Sequence, residues 1–193
     1  DLLAKDPDSW PYLVWASADA SGWATSTAEV VSRLEAILEH ERALRVSVFL
    51  DEESGTVTQS VLRTSAVPIV VVEREPDDAM LQDAAMDVTG SLGKRGKALA
   101  RLWVTPERMV RGVMHHVVID GIGIELLEAA VQAAEYRPSV HAYDYLDYAE
   151  WERATLSTMP ADHEAKVFWA KMLQEPAAMQ WRWQPLSSQD GAE

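Results

Sequence analysis

Two adjacent imidazoles and a nearby carboxylate stand in the run Met114-His115-His116-Val117-Val118-Ile119-Asp120-Gly121. An imidazole titrates near neutral pH and can move a proton. Asp120 is close enough in the chain to lie beneath a ring and fix its surroundings. Gly121 lets the backbone turn sharply and approach a ligand closely. If strand geometry persists through the histidines, alternation sends His115 and His116 to opposite sides. That arrangement speaks against both rings chelating one metal ion, and no Cys/His cluster or HExxH pattern accompanies them, so no metal site is expected. Each residue also has a plain structural reading. A histidine can be a hydrogen-bonded core residue, Asp120 a helix N-cap before Gly121-Ile122-Gly123, and Gly121 a simple turn.

Other chemistries find less support. Gly121-x-Gly123 lacks the Gly-Lys-Ser/Thr or third glycine of a phosphate loop. No Gly-x-Ser-x-Gly elbow occurs. The chain has no cysteine, hence no thiol nucleophile and no disulfide.

The elements that must position the histidines are readable from periodicity. Trp10 to Ala16 reads as a strand and Ala20-Ser21-Gly22 as a turn. Ser26-x-x-Glu29 forms a capping box that opens a helix with Val30, Leu34, Ile37 and Leu38 as its apolar stripe. Arg45 to Leu50 and Thr56 to Leu62 read as a hairpin around the turn 51–55. Val67 to Val72 is a further strand, with Pro68 near its start. Asp77 to Val88 is predicted helical and Gly90 to Gly96 a loop. Ala98 to Val104 and Arg108 to His116 read as a strand pair joined across Thr105-Pro106-Glu107. Helices are predicted over Ile122 to Glu135, stopped by Pro138, then over Tyr143 to Leu156 and Asp162 to Gln174. The last should bury Phe168, Trp169, Met172 and Leu173. The stripe Tyr145, Tyr148 and Trp151 reads as helix packing. The order of strands and helices suits an α/β layered lobe.

The bulk numbers narrow the function. A chain of 193 residues can bury a substantial core. Its 17 basic and 31 acidic side chains leave a net charge of −14. That balance argues against nucleic acid and against anionic membranes as partners. No apolar run reaches transmembrane length and no signal-peptide pattern appears, so a cytoplasmic location is expected. The chain opens on Asp1 rather than methionine, which suggests a longer or processed parent.

The run His115 to Gly121 fits HHxxxDG, and Tyr145-Leu146-Asp147-Tyr148-Ala149-Glu150-Trp151 fits YxDYAxW. In these two motifs the chain resembles the condensation domains of nonribosomal peptide synthetases, within the chloramphenicol-acetyltransferase-like acyltransferases. The resemblance implies an α/β lobe with a mixed sheet flanked by helices, one half of a two-lobe domain. Residues 1–176 would be the N-terminal lobe, and 177–193 an irregular tail or the start of an inter-lobe linker. Trp181 and Trp183 there would pack against the missing lobe or stay exposed. The family's opening SxAQxR-type motif and later C-terminal motifs are absent, so the second lobe would lie elsewhere on the same or a separate chain.

The activity implied is amide formation between carrier-bound acyl or peptidyl and aminoacyl thioesters. Phosphopantetheine arms of carrier proteins would deliver both, with no cofactor bound directly. His116 would contact the attacking amine, as general base or as a positioning group. His115 would give structural support, Asp120 would pair with an arginine and hold the loop, and Gly121 would let the backbone approach the reacting groups. The family's RHExLRTxF segment is matched only at Leu44-Arg45, which makes Arg45 the candidate partner of Asp120. The resemblance also admits a related O- or N-acyltransferase, or a noncatalytic module that recruits a partner protein.

Overall fold

The computed structural model of the protein describes residues 12–51, 53, 55–63, 66–138 and 144–174. Contacts group the chain into two compact units, Asp1–Leu146 and Asp147–Glu193. The expected end of the lobe at residue 176, its tail, and Trp181 and Trp183 lie outside the described residues. So do Trp10, Pro11 and Tyr143.

The first unit is built on a four-stranded mixed sheet. Its strands are β1 (Leu13–Asp19), β4 (Ile69–Val71), β5 (Ala100–Val104) and β6 (Met109–His115), in the spatial order β1-β6-β5-β4. β6 runs antiparallel to both neighbours, whereas β4 pairs parallel with β5. β1 extends three residues past its predicted end because all seven of its residues find partners on β6, from Leu13↔His115 to Asp19↔Met109. The remaining strands, β2 (Val46–Asp51) and β3 (Thr56–Val61), form a separate antiparallel hairpin.

Strand parity divides the side chains between two cores. Ala16, Ala18, Leu102, Val104, Val110 and Met114 face one core, where helix α1 (Thr27–His40) and helix α3 (Gly121–Gln132) add Leu34, Ile37, Leu127 and Val131. Leu13, Trp103 and Val113 face the other, against Ala84, Ala85 and Val88 of α2 (Asp78–Ser91). The four residues of the α1 stripe are all buried, and both halves of the Ser26/Glu29 capping box form. Asp77 caps α2 by accepting from Met80 N–H at 3.0 Å. α2 runs past its predicted end at Val88 and takes in Gly90, because Val88 and Ser91 remain buried on its inner side.

α3 is fixed at three places. Ser17, on the unpaired edge of β1, donates its N–H to Glu128 at 2.8 Å. The Trp23 indole donates to the Val131 carbonyl at 2.8 Å. Arg33 of α1 donates to the carbonyls of Ala130, Ala133 and Ala134. Its guanidinium lies 4.2 Å from the Trp23 ring centroid. A cation on the last carbonyls of a helix satisfies orphan acceptors and complements the helix dipole.

In the second unit, α4 continues from Leu146 of the first (Tyr145–Thr158) and is followed by α5 (Glu164–Gln174). The expectation that Phe168, Trp169, Met172 and Leu173 are buried is corrected here: all four are more than half exposed. Tyr145, Tyr148 and Trp151 are exposed as well, although the last two rings lie 5.7 Å apart. α4 carries no buried residue. The spacing that marks an apolar stripe sets which side chains share a helix face, but a stripe is buried only where another element covers it. No helix among the described residues is long and apolar enough to cross a membrane.

Replacing Arg33 by Met keeps the stem and removes the guanidinium bonds. Denaturant unfolding should show a loss of about 2 kcal/mol, the scale of hydrogen bonds from a charged donor.

Candidate active site

β6 ends at His115, and residues 116–118 turn toward α3. The residues just before β5 and β1 anchor this exit. His115 N–H donates to the Leu99 carbonyl at 2.8 Å, and His116 N–H donates to the Tyr12 carbonyl at 2.7 Å. Within the turn, Val118 N–H donates to the His115 carbonyl at 3.0 Å, and Val117 N–H donates to His115 Nδ1 at 3.1 Å.

The two imidazoles part company as alternation requires. His115 keeps the parity of Val113 and is buried. Its ring stacks on Tyr12, with centroids 6.4 Å apart and planes 10° from parallel. Burial is the main force that pushes its pKa below the ordinary imidazole value, and repulsion from His116 adds to it. His116 is exposed and lines a cavity of about 880 Å³ on the α1/α3 side of the sheet. The walls are largely apolar: Ile37, Leu44, Val46, Val118, Leu126 and Leu127 among them. Glu41, Asp120, Glu135 and Arg137 supply charge, and Tyr136 and Tyr145 supply hydroxyls. Size and lining are those of a small-molecule pocket with a few polar groups.

Asp120 is the N-cap of α3, and its carboxylate accepts Gly123 N–H at 2.7 Å. The expected arginine partner is a different matter. Arg45 donates to the carbonyls of Leu62 and Arg63 at 2.7 and 3.2 Å. The pairing of Arg45 with Asp120 is therefore corrected. Arg45 directly precedes β2, so its side chain meets the carbonyls just past β3 in the same hairpin. The helix amide, for its part, takes up the Asp120 oxygen.

The two glycines of this turn differ in what a side chain would meet. A Cβ at Gly121 would meet nothing within 4 Å, whereas one at Gly123 would stand 2.8 Å from Ile119 Cγ1 and 3.2 Å from Asp120 Oδ1. Packing within the turn thus requires Gly123, whereas Gly121, the first residue of the helix, leaves open space where its side chain would be.

His116 and Asp120, both singled out from their motif, line this one cavity, and Glu41, Tyr136 and Arg137, which no motif marks, join them on its wall. Tyr136 packs beneath Arg33 at 5.8 Å. Burial, followed by repulsion from Glu41, pushes its phenol above the usual value, against a smaller lowering by Arg33. Nothing local in the sequence marks these residues, because they reach the cavity through tertiary packing. Among the described residues no three His, Asp or Glu side chains gather as a metal site.

No family model matches the chain, and no curated protein matches it. Solved structures do. A condensation domain that mediates chain release from the enacyloxin polyketide synthase is 24% identical with a TM-score of 0.57, over 84% of this chain and 34% of that one. A mutant of the starter condensation domain of rhizomide synthetase RzmA is 14% identical with a TM-score of 0.60, over 91% and 46%. The X-domain solved in complex with OxyB from teicoplanin biosynthesis is 16% identical with a TM-score of 0.60, over 90% and 41%. The chain spans less than half the length of each of these structures. The fold is accordingly that of one lobe of a condensation domain, an α/β lobe with a mixed sheet flanked by helices.

The two glycines should respond differently to alanine. Gly123→Ala should cost about 1–3 kcal/mol, because a methyl is forced against Ile119. Gly121→Ala should leave stability within about 0.5 kcal/mol or raise it, by restricting the unfolded chain. Denaturant midpoints of the two variants measure the contrast.

Proposed function

We propose that the protein carries out condensation-type acyl transfer. The amine of an acceptor aminoacyl thioester attacks a donor acyl or peptidyl thioester, forming an amide and releasing the donor thiol. On this reading the chain is the N-terminal lobe, and the second lobe closes the site from the same or another polypeptide. Carrier proteins present both substrates on phosphopantetheine arms, no cofactor is bound directly, and the work is cytoplasmic. The observation that carries the reading is His116, exposed on the wall of an apolar cavity of about 880 Å³ within a condensation-domain fold.

A thioester is already activated, so orientation and electrostatics account for most of the acceleration. His116 meets the amine, where it removes a proton or steadies the charge that forms on nitrogen. Asp120 supports this indirectly: its bond to Gly123 N–H fixes the start of α3 and with it the cavity wall. The apolar lining keeps water away from a thioester that would otherwise hydrolyse.

One observation favours a second reading, a noncatalytic module that binds a partner protein. Asp120 has no arginine partner among the described residues, because Arg45 is engaged by the hairpin. One of the solved neighbours is an X-domain in complex with OxyB.

The test is a condensation assay with loaded carrier proteins, run on the full-length protein together with its second lobe. His116→Ala should lower amide formation by about 10²-fold or more, the usual contribution of a positioned acid–base group. Undiminished product would defeat the assignment. Carrier binding without turnover in the unaltered protein would favour the recruiting module instead.

A further inference from the structure

The Nδ1 of His115 accepts the backbone N–H of the residue two positions on, Val117, at 3.1 Å. Asparagine and aspartate do the same with a side-chain oxygen in the Asx-turn. Here a ring nitrogen stands where the amide oxygen would be. The His115 carbonyl closes the same turn by accepting Val118 N–H at 3.0 Å. His116 lies between, and its own N–H is held by Tyr12, the residue whose ring stacks on His115.

A nitrogen that accepts a hydrogen bond carries no proton. The neutral ring must therefore hold its proton on Nε2. That nitrogen is buried and has no partner among the described residues. A protonated ring would set an N–H donor against the Val117 N–H and leave a charge without a counter-charge.

We propose that His115 is a positioning residue that, as the neutral Nε2–H tautomer, imitates an Asx-turn and so holds His116 against the cavity. This rests on the reading that His116 meets the substrate amine. The titratable groups that face His115 are Tyr12, stacked on it, and His116, next in the chain. β1 offers it Leu13, and Leu99 offers only a backbone carbonyl. Its depressed pKa fits the same picture. Protonation of the ring is displaced below the ordinary imidazole value, and when it comes the acceptor becomes a donor and the turn loses its bond.

Two variants and one spectrum decide the matter. In the full-length protein carrying ¹⁵N-labelled histidine, the nitrogen shifts of His115 should be those of the Nε2–H tautomer and should titrate at lower pH than an ordinary imidazole. His115→Leu should lower kcat about 10–100-fold with KM little changed, the effect of a misplaced catalytic group. His115→Asn restores a side-chain oxygen to the same N–H. It should recover most of that loss and keep the Val117 amide protected from exchange. As pH falls from the ordinary imidazole value toward the lowered one, the wild type should lose stability relative to the Asn variant, because only its ring must stay neutral to stay bonded. An Nδ1–H tautomer, or an Asn variant no better than the Leu variant, would overturn the proposal. If His115→Leu prevents folding, the wild-type tautomer and the Asn variant still decide it. If no form of the protein turns over, the spectrum and the amide protection test His115 apart from the chemistry.

Discussion

Among the hydrogen bonds that hold the exit from β6 is one that a strand does not ordinarily make. The ladder supports the chain as far as His115. Beyond it the backbone must satisfy its amides while turning toward α3, and a buried unpaired amide costs about as much as a lost hydrogen bond. Val117 solves this by donating to an imidazole. The bond ties one amide of the turn to the state of a side chain, next to a histidine that alternation sends to the other side of the sheet.

α3 converts that local geometry into a site. Its first turn is held by Asp120, its middle by Glu128 bonded to the edge of β1, and its last carbonyls by Trp23 and Arg33. Fixed at these places, the helix presents Leu126, Leu127 and Ala130 as one wall of the cavity. The facing wall comes from the end of α1, the following residues Ala43 and Leu44, and Val46 and Gln59 of the hairpin. The cavity is thus walled in part by the main core itself, since Ile37, Leu44, Val46, Val118 and Leu127 belong to both.

Much of this was legible in the sequence, and the parts that were not share a cause. The α1 stripe, its capping box, the hairpin and the β5–β6 pair follow from local period and turn chemistry, which the structure obeys. The two sides taken by His115 and His116 followed from alternation. The partner of Arg45 did not, because pairing by motif assumes a contact that only tertiary packing can grant, and the hairpin carbonyls lie nearer. The aromatic faces of α4 and α5 misled for a related reason: spacing defines a face but does not supply its cover. Gly123 went unrecognised because its requirement arises from Ile119 and the Asp120 oxygen, neither of which a glycine pattern names.

The pairing of β1 with β6 carries a kinetic consequence. Tyr12 and Leu13 meet His116 and His115 across nearly the whole first unit, and Ser17 reaches Glu128 over a separation of 111 residues. Such distant contacts repay the entropy of closing the loop only at a late stage. The first strand therefore waits on the ribosome for its partner to be synthesised, with both edges unpaired in the interval. Only when that ladder closes is His116 tied to Tyr12, so the site is anchored late, by the same contacts that join the two ends of the sheet's chain.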